Sequence, residues 1–211
     1  MGVKSDGGEH LARTVIVASG ARLKRLGVPG EAELEEKGVA RCADCDGPFY
    51  QGRDVVVVGG GDSALQEALV LTEFARKVHL VHRGDRLGAK QALVDRLAGH
   101  ASVEVHLLTQ VEAVLGSDEV SGVRVRSGGG VAEFACSGFF AYIGLEPANE
   151  FAPAQIARDA AGFLQTDASL QTAMPLVFAA GAVRSGYGGM LTHAMAEGET
   201  AARSALALVR S

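Results

Sequence analysis

Two short patterns carry most of the chemistry open to this 211-residue sequence. The first is Cys42-x-x-Cys45, followed at once by Asp46, Gly47 and Pro48. Cysteines at this spacing fit either half of a structural zinc site or a redox dithiol. A structural zinc needs four ligands, and no second C-x-x-C or matching Cys/His pair lies nearby, so the dithiol is the stronger reading. The remaining cysteine, Cys136, stands alone in a strand-like pattern and reads as a small buried hydrophobe. Asp46 has two readings. It can move a proton onto or off a departing thiolate, because exchange depends on thiolate protonation, or it can be a turn acid bonding the backbone beside Gly47-Pro48.

The second pattern is Gly59-Gly60-Gly61-Asp62-Ser63-Ala64. A turn of this kind sets backbone N–H groups and a helix N-terminus against a pyrophosphate. Gly59 permits the tight turn, Gly61 lets a ligand approach the backbone, and Ala64 lets helix and strand pack closely. A glycine triplet alone is weak evidence, so its flanks decide. The residue after the next strand selects the nucleotide: an acid bonds a ribose 2′-OH, whereas arginine accommodates a 2′-phosphate. His82-Arg83 stand there, with Arg86 close behind and Asp85 among them, which favours NADPH. The alternative is a loop of solvated charges.

The flanking elements are those the turn requires. Asp54 to Val58 is a continuous β-branched run, the pattern of a strand buried on both faces. Ala64, Leu65, Ala68, Leu69 and Leu71 then recur at helical spacing, and Val78 to Arg83 is the next strand. This β-α-β spans about 30 residues, the length of a dinucleotide unit. A helix over Lys90–Ala98, a strand over Val103–Leu107 and a hairpin over Val111–Leu115 and Val120–Arg126 follow. Strands at Val131–Ser137, Phe139–Ile143 and Leu176–Gly181 and a terminal helix at Thr192–Leu208 complete the pattern. Near the start, Arg13–Gly20 reads as a buried strand, and Ser5-Asp6-Gly7-Gly8 as a hairpin turn joining it to a partner that is mostly missing. Leu26–Glu31 reads as a linker punctuated by Pro29-Gly30, and Glu31–Lys37 as an exposed charged stretch.

Composition closes off several classes. Net charge is −5 and aromatic residues are 5% with no Trp, so neither an electrostatic footprint nor a stacking platform for nucleic acid is present. No apolar stretch reaches the length of a spanning helix, and no charged segment with an apolar run opens the chain, which makes the cytoplasm the default location.

Taken together, these residues resemble the low-molecular-weight thioredoxin reductases. The resemblance rests on A-S-G at Ala18–Gly20, L-G-V-P-G-E at Leu26–Glu31, C-A-D-C-D-G-P-F-Y at Cys42–Tyr50 and V-V-G-G-G-D-S-A at Val57–Ala64. It continues through V-H-L-V-H-R at Val78–Arg83 and F-A-A-G at Phe178–Gly181. It implies an α/β protein in which a Rossmann-like NADPH-binding domain, residues 30–137, is inserted in a partial FAD-binding domain, residues 1–29 and 138–211. Electrons would pass from NADPH through FAD to the disulfide and on to a thioredoxin-like protein, in a chain that is a homodimer when full-length. Cys42 and Cys45 would carry the disulfide and Asp46 would be the general acid. Gly59, Gly60, Gly61, Asp62, Ser63 and Ala64 would hold the nucleotide, His82, Arg83 and Arg86 would read its 2′-phosphate, and Gly20 and Gly181 would border the flavin.

Departures from the family pattern qualify the flavin part. Its first βαβ with its own glycine motif has no counterpart here, so the expectation is a chain lacking the N-terminal FAD-binding segment. Ala182 replaces the acid that usually follows Gly181, Gly188-Gly189 stand where Arg-Gln is frequent, and Gly84 and Gly88 replace common arginines. The alternative expectation is an NADPH-binding fragment without flavin or turnover.

Overall fold

The structure, a computed structural model, describes residues 1–210. In chain order the strands begin with β1 (Gly2–Ser5), β2 (Gly8–Leu11), β3 (Val15–Val17), β4 (Ala21–Leu23) and β5 (Val39–Ala40). Helix α1 (Ala43–Asp46), a 3-10 turn at Gly47–Tyr50, β6 (Asp54–Val58), α2 (Asp62–Leu71), β7 (Lys77–Val81), α3 (Gln91–Ala98) and β8 (Val103–His106) follow. Then come β9 (Gln110–Gly116), β10 (Val120–Ser127), β11 (Gly130–Ala135), β12 (Gly138–Ala141), β13 (Leu145–Pro147), β14 (Val177–Ala179) and α4 (Leu191–Arg210).

The chain divides into two compact units. Leu23–Gly144 form the inner one, and Met1–Arg22 with the chain from Leu145 onward form the other. The inner unit is wider at both ends than the 30–137 span read from sequence, and packing explains the difference. Leu26 and Val28 pack on the cluster that contains Val114 and Phe139. A Cβ on Gly30 would lie 2.0 Å from the Val114 carbonyl oxygen, so the linker-like segment is pressed onto β9. At the other end Phe139 and Phe140 are fully buried in β12, which pairs with β6. The charged stretch that follows the linker is also not simply exposed: Glu31 is buried and accepts hydrogen bonds from the Leu26 and Gly27 N–H groups at 3.0 and 2.7 Å.

The inner unit is built on a five-stranded parallel sheet in the order β5-β12-β6-β7-β8. The β-branched run of β6 is buried on both faces, as a central parallel strand must be. Val55 and Val57 face α2 and α3, while Val56 and Val58 face the meander β9-β10-β11. From β6 the order advances through α2 to β7 and through α3 to β8, then returns through the meander to β12 on the other side of β6. The carboxyl ends of β6 and β12 therefore frame a topological switch point, where open α/β sheets bind ligands.

In the other unit, β3 pairs in parallel with β14, not with the N-terminal hairpin. The expected partner for β3 is replaced because β1 and β2 pair with each other through the two-residue Asp6-Gly7 turn, and both are exposed. Ala201 and Ala205 of α4 pack against Phe178 of β14. This unit also exposes apolar side chains, with Leu11, Leu191 and Met195 at 85, 76 and 66%. No helix among the described residues is long and apolar enough to cross a membrane.

Candidate active site

Cys42 and Cys45 form a disulfide with their Cα atoms 5.3 Å apart. Cys42 caps α1, and its Sγ accepts a hydrogen bond from the Cys45 N–H at 3.2 Å. Cys45 is exposed and Cys42 half-buried. The Asp46 backbone N–H donates to Cys42 O at 2.9 Å, and its carboxylate accepts no hydrogen bond among the described residues. Asp46 lines a groove of about 700 Å³ with Arg41, Phe49, Tyr50 and Arg53, and Phe49 is 75% exposed. The third cysteine sits apart: Cys136 is free and buried, and burial pushes its thiol up to about 12, which keeps it protonated and inert.

The disulfide segment is fastened to α2 by one side chain. Glu67 Oε2 accepts from the Ala43 N–H at 2.9 Å and from the Tyr142 hydroxyl at 3.1 Å. Burial and the Glu67 carboxylate both hold the Tyr142 phenol well above its usual range, so it stays a donor. Glu67 and Tyr142 escaped the sequence reading. Glu67 falls on the side of α2 toward the core, and that misplaced charge in the helical period was the available signal.

The glycine turn at the start of α2 lies at the switch point. Gly59 has φ 149°, and a Cβ there would come within 2.4 Å of the Tyr142 carbonyl oxygen and 2.7 Å of the Ala64 Cβ. A Cβ on Gly60 would meet the His82 ring at 2.4 Å. Nothing lies within 4 Å of the Cβ position of Gly61, which leaves its backbone open to a ligand. The first N–H groups of α2 have no partner within their own helix, and they open onto the same space. Ala64 is fully buried and Ser63 is exposed in that first turn. These features fit the diphosphate of a dinucleotide.

Asp62 has another engagement. Its carboxylate accepts the Lys90 N–H at 2.8 Å and pairs with Lys90 Nζ at 3.3 Å, contacts that hold it below the ordinary carboxylate range and tie α2 to the start of α3. His82 stacks on the glycine turn, while Arg83 and Arg86 are exposed and form no ion pair among the described residues. Of the expected recognition residues, His82 lies against the turn at Gly60, and Arg83 and Arg86 follow it in the chain.

In the second unit Gly20 and Gly181 follow the adjacent parallel strands β3 and β14, with φ 76° and 75°. Their open turns at strand carboxyl ends fit one wall of a nucleotide-type site. The Gly181 N–H already donates to Glu197 Oε2 at 2.7 Å, however, and Ala182 presents no acceptor. Glu197 also holds Arg184 at 2.8 Å, and Arg184 Nε is buried with no partner.

A parallel sheet with a glycine turn at its switch point, and a disulfide tied to the helix that follows the turn, is the combination found here. A model of the family described as "Pyridine nucleotide-disulphide oxidoreductase" matches residues 2–198. The chain belongs to this family, in its thioredoxin reductase group. It is 37% identical over 204 residues to the thioredoxin reductase of Treponema pallidum, covering 96% of this chain and 66% of that one. It is 39% identical over 213 residues to that of Bacillus subtilis, covering 96% and 65%. The crystal structure of Lactococcus lactis thioredoxin reductase in its FR conformation superposes with a TM-score of 0.89 at 34% identity, covering 99% of this chain and 70% of that one. The chain spans between 56 and 66% of the length of these and similar curated relatives.

Proposed function

We propose that this chain is the disulfide-bearing part of an NADPH-dependent thioredoxin-disulfide reductase, with Leu23–Gly144 as the nucleotide unit and the remainder as a wall of the flavin site. The observation that carries the reading is the hydrogen bond by which Glu67, on the helix that the glycine turn begins, anchors the Cys42–Cys45 segment at Ala43. Gly59, Gly60, Gly61, Ser63 and Ala64 hold the diphosphate of NADPH, and Arg83 and Arg86 with His82 take its 2′-phosphate. Asp62 acts indirectly by fixing the loop to α3. Gly20 and Gly181 border FAD, which when bound supplies the conversion of a hydride's two electrons into a form that a disulfide accepts.

Opening the Cys42–Cys45 bond takes up two electrons and, to reach the dithiol, two protons. Asp46, with its carboxylate free at the groove, delivers a proton to the sulfur that leaves. The Cys45 N–H steadies the Cys42 thiolate, and Glu67 holds the segment in register while the bond opens. The dithiol then attacks a partner disulfide through a mixed disulfide. The groove beside Asp46, with exposed Phe49, suits a small protein substrate of the thioredoxin kind. A reducing compartment such as the cytoplasm suits this exchange.

A second reading, an NADPH-binding fragment without flavin, is favoured by Ala182 and by the Gly181 N–H that Glu197 already occupies. One experiment separates the two. The purified chain, supplied with FAD under anaerobic conditions, is given NADPH and an oxidised thioredoxin. Thiol release that depends on both Cys42 and Cys45 supports the reductase; NADPH binding with no flavin uptake and no thiol release supports the fragment.

A further inference from the structure

Away from the dithiol and the glycine turn, two histidines and a glutamate converge on one face of the sheet. His79 of β7 and Glu104 of β8 are partners in the parallel register, and His106 sits two residues further along β8 opposite Val81. Alternation puts all three on the face that packs toward the meander, where Phe134 of β11 stacks on His79 and lies tilted against His106, with centroids 5.0 and 4.5 Å away. His79 Nδ1 lies 3.1 Å from His106 Nε2. Glu104 Oε2 lies 3.9 Å from His79 Nδ1, and Glu104 Oε1 lies 3.7 Å from His106 Nε2.

From this triangle we propose that His79, Glu104 and His106 bind a divalent transition-metal ion of the zinc class. Ligand atoms on one tetrahedral ion with bonds of about 2.0–2.1 Å stand about 3.3–3.4 Å apart, so small side-chain movements bring all three onto one centre. Two imidazoles and a carboxylate are ligands that zinc accepts, and three protein ligands leave a position for water. An imidazole–imidazole hydrogen bond accounts for the first distance but not for a carboxylate that offers one oxygen to each ring. Both rings are mostly buried, with side-chain exposures of 12 and 17%, and burial keeps them neutral, the form that donates a lone pair to a metal. Glu104 is 46% exposed, which gives an ion an entry path from solvent. Lys77, which pairs with Glu104, is the competitor and swings into solvent on binding. The ion would clamp the edge strand β8 to β7, whose next residue after its end is His82 of the glycine-turn site.

The test is a zinc titration of tag-free protein with its disulfide intact, so that neither a histidine tag nor the dithiol competes. One Zn²⁺ per chain with micromolar or tighter affinity is expected, together with a rise in Tm. Glu104→Gln, which keeps the shape of a side chain that is 46% exposed, should weaken binding at least tenfold and abolish the Tm rise. His106→Ala should do the same. Equal zinc affinity in wild type and Glu104→Gln, or no binding by wild type, overturns the proposal. His10, His82, His100 and His193 lie outside the cluster, so adventitious binding to them is unchanged in both variants.

Discussion

Glu67 Oε2 stands 3.1 Å from the Tyr142 hydroxyl while holding the Ala43 N–H between the two cysteines. One carboxylate therefore joins the redox segment, the helix that starts at the glycine turn, and the residue that follows β12. Removing it leaves a buried amide and a buried phenol without their acceptor, at a cost of about 1–3 kcal/mol for each unsatisfied group. Glu67→Ala is expected to lower stability by a few kcal/mol and to slow dithiol exchange. Glu67→Gln keeps an acceptor and should retain most of both. Chemical denaturation and the rate of thiol release report the two effects separately.

Gly61→Ala is a clean probe of the turn. Its added methyl meets nothing within 4 Å, so folding should be unchanged. A bound diphosphate would occupy that space, and NADPH affinity is expected to fall at least tenfold, equivalent to about 1.4 kcal/mol. Gly59→Ala, in contrast, drives a Cβ into the Tyr142 carbonyl and Ala64 at a φ that L-residues rarely adopt, and should destabilise the unit itself. Calorimetric nucleotide binding alongside thermal melts distinguishes the two variants.

Arg83 and Arg86 should carry the preference for the phosphorylated nucleotide. Hydrogen bonds to a charged group contribute about 1.5–3 kcal/mol, so Arg83→Ala is expected to weaken NADPH binding by about 10–100-fold and leave NADH binding nearly unchanged. The ratio of the two affinities is the measurement. An equal loss for both nucleotides would place Arg83 outside 2′-phosphate recognition.

Asp46→Asn tests the proton carrier. A positioned general acid contributes about 10²–10⁴ in rate, and the variant should lose at least tenfold in disulfide turnover while its nucleotide affinity is unchanged. Stopped-flow thiol release set against equilibrium NADPH binding gives the comparison.

The histidine pair predicts a pH dependence of stability. Burial lowers both histidines, His79 is lowered further by His106, and Lys77 pushes in the same direction; Glu104 on both and Asp54 on His79 act against these effects. The folded state then binds fewer protons than the unfolded chain just below the ordinary histidine range. Stability is full above that range and is lost as pH falls from about 6.5 toward the depressed folded values. Melts from pH 7.5 to 5 should show this loss, and His106→Asn should flatten it. Identical slopes would remove the pair as its source.

Sequence by itself determined the central β-α-β, the dithiol and the glycine turn, because each is a local pattern. The Val run of β6 admits only a strand buried on both faces. Gly59 and Gly60 stand where no side chain fits, and two cysteines three residues apart reach each other within one turn of chain. What tertiary structure alone decided is everything that depends on which strands lie side by side. The pairing of β3 with β14 instead of the hairpin is one case. The inclusion of Leu26, Val28 and Phe140 in the inner unit is another. Glu67 and Tyr142 are 75 residues apart and meet because the sheet order returns to β12 beside β6, while His79 and His106 are 27 apart and meet because β8 pairs with β7. Spacing along a chain specifies the face a side chain takes, but only the closed core specifies what faces it.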